Sequence, residues 1–128
     1  MDGVNGGEDV GARLAPSRAA VSHWLGQRLS AALLLVLVPW LMFSLGSAGG
    51  MELDDLRQWI GRPSHALGLA LFFLAAWYHA ALGLEVVVQD YVRPESLSAV
   101  LVLGVRLAAV VGAVAAVGAV IWIVAGMQ

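Results

Sequence analysis

Long apolar segments dominate the chain and alternate with short polar stretches. The three longest run over roughly residues 29–45, 66–88 and 107–126. The last two reach the ~20 residues that a helix needs to cross ~30 Å of hydrocarbon, and the first is near the lower limit. Because a helix satisfies every backbone amide within its own segment, the pattern predicts an all-α membrane protein with three transmembrane helices.

The polar positions between these segments set the expected boundaries. We predict helices over about 26–46, 65–89 and 96–126, which together form a transmembrane unit over 21–128. Residues 1–20 are rich in Gly, Ala and charge without helical periodicity, which is typical of a flexible arm.

The stretch "MELDDLRQWIG" after the first apolar segment has the pattern of an amphipathic helix. Its apolar residues share one helical face, and its acids and arginine occupy the other. The apolar members are Leu53, Leu56, Trp59 and Ile60. This spacing predicts a short interfacial helix that ends before Pro63.

Composition supports a membrane location. The chain is 60% hydrophobic and 12% charged, outside the range of soluble domains. It has no cysteine, which excludes disulfides, thiolate metal sites and cysteine-ligated iron–sulfur clusters within it. The first residues carry Asp2, Glu8 and Asp9, unlike a secretory leader or a mitochondrial transit peptide, so we expect a bacterial inner membrane. We expect no nucleic-acid partner.

The distribution of arginines predicts the orientation. With three spans, most arginines fall on the side of the N-terminal tail, and two fall on the opposite side. The first group is Arg13, Arg18, Arg28, Arg93 and Arg106, and the second is Arg57 and Arg62. The positive-inside rule therefore places the N-terminus in the cytoplasm and the C-terminus in the periplasm.

His79 lies deep in the second apolar segment, in "WYHAALGLEVVVQDYVRP", residues 77–94. An ionisable group at this depth is expected to face a bundle interior or a cavity rather than lipid. One interpretation is a neutral imidazole hydrogen-bonded to a neighbouring helix. The other is a haem axial ligand, with Gly83 one turn away leaving room for a flat macrocycle. His23 and His65 lie near the predicted membrane boundaries and are poorer candidates.

Asp90 and Tyr91 end the second segment, close to Arg93. They are interpreted either as an interfacial aromatic anchor beside a solvated ion pair, or as groups that bind and protonate a quinone. Arg28 is expected on the same side of the membrane.

The sequence leaves two alternative roles for each of two charged residues, Glu85 and Arg106, in or near the apolar segments. Glu85 is either a proton-path carboxylate or the partner of an arginine, and Arg106 either snorkels or pairs. Small residues recur at every fourth position of the third segment, which predicts close helix packing. They are Gly104, Ala108, Gly112 and Ala116.

Two motifs resemble the hydrophobic membrane anchor subunits of succinate dehydrogenase. The first is "SHWLGQRLSAALLLVLVPW", residues 22–40, and the second is "HAALGLEVVVQDYVRP", residues 79–94. The resemblance covers roughly residues 20–126. Many relatives have Glu where this chain has Gln89, which removes a carboxylate next to Asp90.

The resemblance implies a function for each candidate residue. His79 would be one axial ligand of a haem b shared with a second, cytochrome b-type anchor subunit, with Gly83 beside the macrocycle. Arg28 would lie near the haem propionates or the quinone pocket. Tyr91 and Asp90 would contact ubiquinone.

The resemblance also implies the assembly. The chain would pack with the cytochrome b-type anchor subunit in the bilayer, hold the iron–sulfur and flavoprotein subunits on the membrane, and support electron transfer from succinate to ubiquinone in the tricarboxylic acid cycle and respiratory chain. It would not catalyse the reaction alone. Alternatives are a fumarate reductase-type anchor that uses menaquinone, and a haem-free helical scaffold or transporter component.

Overall fold

The computed structural model describes residues 17–47 and 49–126, and all regular structure in these ranges is helical. Helix α1 covers Arg18–Gly46, α2 covers Leu53–Gly61, α3 covers Pro63–Tyr91 and α4 covers Glu95–Ala125. Three of them, α1, α3 and α4, are long and apolar enough to cross a membrane. The predicted fold class is confirmed.

Helix α1 begins about two turns before the predicted start near residue 26. Ser17 caps it, because its side-chain oxygen accepts a hydrogen bond from the Ala20 amide at 3.1 Å. The segment after this cap is mixed in polarity, so it lacks an apolar signal but contains no helix breaker. Residues 17–20 of the predicted arm therefore form the cap and the first residues of α1, and residues 1–16 lie outside the described residues.

Helix α3 lies between α1 and α4, which have no Cα atoms within 8 Å of each other in the described ranges. Glycines allow the close approach on both sides of α3. A Cβ at Gly26 would meet the Tyr78 hydroxyl, one at Gly68 would meet the Trp40 ring, and one at Gly112 would meet the Trp77 ring. Each of these glycines thus receives an aromatic side chain from a neighbouring helix.

The predicted small-residue stripe on α4 is only partly used. Gly112 contacts Trp77 and Ala116 is half-buried, whereas Gly104 has no neighbour within 4 Å and Ala108 is exposed. The half-buried positions of α4 run through Val105, Ala109, Gly112 and Ala116, so the packed face diverges from the four-residue stripe toward Gly104.

Helix α2 confirms the short helix predicted from "MELDDLRQWIG", but its apolar face packs on the bundle. Trp59 is 6% exposed and forms a cluster with Leu69 of α3 and Val120 of α4. His65 stacks on Trp59 with ring centroids 4.3 Å apart, and its Nδ1 donates to the Trp59 carbonyl oxygen at 2.8 Å. His65 is thus half-buried against Trp59.

Candidate functional site

His79 lies on the α1-facing side of α3, and one of its two ring nitrogens is hydrogen-bonded. Its Nδ1 is 3.0 Å from the hydroxyl oxygen of Ser30 on α1. Ser30 is 6% exposed, while His79 is half-buried. The other ring nitrogen, Nε2, makes no hydrogen bond within the part of the chain that the structure describes. The hydrogen bond to a neighbouring helix is therefore present, and one nitrogen stays free for another partner.

The Ser30 hydroxyl has one hydrogen but three possible hydrogen-bond partners, one of which is His79. Its oxygen is 2.8 Å from the Gly26 carbonyl oxygen and 3.1 Å from the Gln27 carbonyl oxygen, one turn earlier on α1. A serine hydroxyl donates one hydrogen and accepts through two lone pairs. When its hydrogen goes back to a backbone carbonyl, the oxygen accepts from His79.

Gln27 and Gly83 lie next to this pair. The position of a Cβ on Gly83 would be 3.7 Å from Gln27 Nε2, an ordinary contact distance. Gln27 Oε1 is buried and has no hydrogen-bond partner among the described residues. Because buried polar atoms are normally satisfied, the hydrogen bonds on this face are incomplete within the described chain. The predicted proximity of Gly83 to a macrocycle stays a prediction.

Arg28 is not brought to His79. It is exposed, and its guanidinium carbon lies 5.3 Å from the centre of the Trp24 ring on the same helix. Two residues correspond to about 200° around a helix, so Arg28 projects away from the direction of Ser30.

Asp90 and Tyr91 lie at the end of α3 and are both exposed, with Tyr91 83% exposed. Neither side chain forms a hydrogen bond or ion pair with the described residues, including Arg93. Asp90 is three turns beyond His79 on nearly the same helical face, about 16 Å along the axis. The described chain presents these groups outward and does not enclose them in a pocket.

Glu85 and Arg106 form a bidentate ion pair between α3 and α4. Nε and one terminal nitrogen of Arg106 donate to the two carboxylate oxygens, each at 2.8 Å. The side chain of Glu85 is 5% exposed and that of Arg106 is 62% exposed. Of the roles left open by the sequence, pairing is the one observed.

A groove of about 690 Å³ lies beside this ion pair, between α1, α3 and α4. Its polar lining includes His23, Tyr78, Glu85 and Arg106. Tyr78 and Glu85 are seven residues apart and share a helical face, whereas His79 is turned about 100° from Tyr78. His79 does not line this groove.

Within residues 17–47 and 49–126, no group of three or more His, Asp or Glu residues is arranged to hold a metal ion. Haem iron needs less from the protein, because the porphyrin already supplies four nitrogens and a single imidazole serves as an axial ligand.

Sequence reasoning identified His79 but missed Ser30, its partner. A serine in an apolar helix commonly bonds back to its own backbone, so its type and position carry no signal of a contact with another helix. The pairing depends on the relative rotation of α1 and α3, which the approach of Tyr78 to Gly26 helps to set.

The comparisons agree with the motifs. The family model described as succinate dehydrogenase/fumarate reductase transmembrane subunit matches residues 12–113. A succinate dehydrogenase hydrophobic membrane anchor subunit of Rickettsia bellii (strain RML369-C) is 27% identical over 106 residues, covering 83% of this chain and 85% of the relative.

Two further similar proteins carry the same name. The one from Rickettsia conorii is 27% identical over 77% of this chain and 79% of the relative. The one from Paracoccus denitrificans is 32% identical over 65% of this chain and 64% of the relative. No solved structure matches the chain.

Proposed function

Because this chain belongs to the succinate dehydrogenase/fumarate reductase transmembrane subunit family, we propose that it is the hydrophobic membrane anchor of a succinate:ubiquinone oxidoreductase in a bacterial inner membrane. The observation that carries the proposal is His79, a membrane-embedded imidazole with Nδ1 bonded to Ser30 and Nε2 free of bonds to the described residues. The names of the curated relatives and the three apolar spans support the same function.

The donor set fits a haem b shared with a second anchor chain. His79 supplies one neutral imidazole nitrogen, and the incomplete hydrogen bonding at Gln27 is consistent with a face that a partner completes. The other ligand would come from the cytochrome b-type anchor subunit. When bound, the haem supplies one-electron redox chemistry, and this chain holds the imidazole in place.

Tyr91 and Asp90 are proposed to form this chain's part of the ubiquinone site. The phenol can donate a hydrogen bond to a quinone carbonyl, and the carboxyl group can exchange protons with the cytoplasm during reduction. Their exposure fits a pocket whose other walls belong to the cytochrome b-type anchor and the iron–sulfur subunit. Arg28, exposed on α1, is proposed to contact the haem propionates or the quinone from the same side of the membrane.

The chain would act only within the complex. It would anchor the iron–sulfur and flavoprotein subunits at the cytoplasmic face, where the excess of arginines predicts that Asp90 and Tyr91 lie. Succinate oxidation would take place on the flavoprotein. A fumarate reductase-type anchor that uses menaquinone is the second candidate, because the family description covers both enzymes.

A reduced-minus-oxidised optical spectrum of the purified complex tests the proposal. We expect a b-type band in the native complex and its loss in His79→Ala. His23→Ala is the matched control. His23 is also a half-buried histidine, but it lines the groove beside the Glu85–Arg106 ion pair. An assembled native complex without a b-type band would favour a haem-free scaffold, and full retention of the band in His79→Ala would exclude this residue as the ligand.

A further inference from the structure

The contact between Ser30 and His79 joins α1 and α3 next to the buried Oε1 of Gln27. Among the described residues, Ser30 and Glu85 are the buried polar or charged ones. Glu85 is paired with Arg106 on α4, whereas Ser30 reaches His79. The contact thus places a small, buried hydroxyl directly behind one nitrogen of the imidazole.

The direction in which the Ser30 hydroxyl donates its hydrogen determines which nitrogen of His79 carries a hydrogen. If the Ser30 hydroxyl donates to the Gly26 carbonyl, at 2.8 Å, its oxygen can only accept from His79, and Nδ1 must carry the hydrogen. In the neutral ring the hydrogen is then absent from Nε2, whose lone pair is available. If the hydroxyl instead donated to Nδ1, the hydrogen would be on Nε2 and that nitrogen could not bind a metal.

We propose that Ser30 is a positioning residue for His79: its hydroxyl oxygen accepts the Nδ1–H bond and so holds the imidazole with the Nε2 lone pair directed out of the chain. The assignment rests on the proposed function, since it concerns the same imidazole. A hydrogen bond at the far nitrogen orients a ligating histidine and raises its basicity as a ligand. A more basic ligand stabilises ferric over ferrous iron, so Ser30 would lower the reduction potential of the bound haem.

The competing interpretation is that Ser30 only bonds back to its own helix. Ser22 provides the matched control, because its hydroxyl donates to the Ala19 carbonyl oxygen at 2.9 Å and has no partner on another helix among the described residues. Ser22→Ala removes such a back-bond alone. Ser30→Ala removes the back-bond together with the acceptor for His79.

The experiment is a redox titration and a low-temperature electron paramagnetic resonance spectrum of the ferric haem, on the complete purified complex. We expect Ser30→Ala to raise the midpoint potential, by about 59 mV for each tenfold loss of preference for ferric iron, and to change the ferric signal. Affinity for haem should fall about 10–100-fold, measured as loss of haem on dilution in detergent. Ser30→Thr, which keeps the hydroxyl, should keep the native midpoint potential and affinity for haem. Ser22→Ala should match the native complex.

The assignment is overturned if the potential, ferric signal and haem retention of Ser30→Ala equal those of the native complex while His79→Ala loses its b-type band. If Ser30→Ala does not assemble, Ser30→Cys keeps the size of the side chain but has a much weaker acceptor. A shifted potential in Ser30→Cys supports the assignment, and a native potential contradicts it. Absence of a b-type band from the native complex would instead refute the proposed function itself.

Discussion

His79 is compatible with both of the roles that the sequence presents as alternatives. An imidazole that is hydrogen-bonded to a neighbouring helix and one that ligates iron are not exclusive, because the ring has two nitrogens with different chemistry. The bond from Nδ1 to Ser30 occupies one nitrogen and leaves Nε2 free of bonds to the described residues. An interior histidine is therefore compatible with both a stable chain and a shared cofactor.

The two tyrosines of the chain allow a clean test of the quinone site. We expect Tyr91→Phe to lower quinone reductase activity by up to about tenfold, since a neutral hydrogen bond contributes about 0.5–1.5 kcal/mol. Succinate oxidation with an artificial acceptor should persist, because it does not use the anchor. Both activities are measured on the purified complex.

Tyr78→Phe is the control for this prediction. The Tyr78 hydroxyl lies against Gly26 and not at the end of α3, so its removal should leave quinone reduction unchanged. An equal loss of both activities in Tyr91→Phe would mean that Tyr91 supports assembly and does not contact the quinone.

At the scale of helices, aromatic rings packed on glycines join α3 to its neighbours. Trp77 lies against Gly112 of α4, and Trp40 of α1 lies against Gly68 of α3. Membrane helices gain little from burying apolar side chains away from lipid, so close van der Waals contact of this kind is a main source of their association.

Gly112→Leu tests this packing. The added side chain would overlap the Trp77 ring, and overpacking of this kind destabilises by about 1–3 kcal/mol. The measurement is the loss of helicity of the full chain in detergent as sodium dodecyl sulfate is added. Gly118→Leu, at a site with no neighbour within 4 Å, should be nearly neutral, and an equal effect at both sites would contradict the packing assignment.

The ion pair between α3 and α4 predicts an asymmetric response. Arg106→Ala leaves a nearly buried carboxylate without its partner, whereas Glu85→Gln leaves a guanidinium on a long, exposed side chain that can extend toward the membrane interface. We expect Arg106→Ala to be the more destabilising in the same unfolding assay, and Arg106→Ala combined with Glu85→Gln to recover part of the loss. Equal effects of the single changes without recovery would show that the pair is not coupled.

At the scale of the whole molecule, the distribution of arginines predicts the orientation in the membrane. Cysteine labelling can test this prediction directly because the chain has no cysteine of its own. We expect an impermeant maleimide to label Ser47→Cys in intact spheroplasts. Ser96→Cys should react only after lysis. Both positions are exposed, so the difference reports the side of the membrane. The reverse pattern would invert the predicted topology.

The sequence predicts the membrane architecture well, because apolar length and polar interruptions are read directly from the residues. It places His79 in an interior segment and Asp90 and Tyr91 at the end of the same helix, since both follow from helical geometry. It does not predict the start of α1 at Arg18, where a cap and not an apolar run sets the boundary. The sequence also does not predict the contacts of Ser30, Trp77 and Trp59, because each depends on how whole helices rotate against one another.

Cryo-electron microscopy of the complete purified complex can show whether Nε2 of His79 binds the iron of a haem shared with a second anchor chain. We expect porphyrin density joined to Nε2, with Nδ1 still within hydrogen-bonding distance of Ser30. A map in which the His79 ring faces lipid, or bonds only to protein groups with no porphyrin beside it, would rule out His79 as a haem ligand.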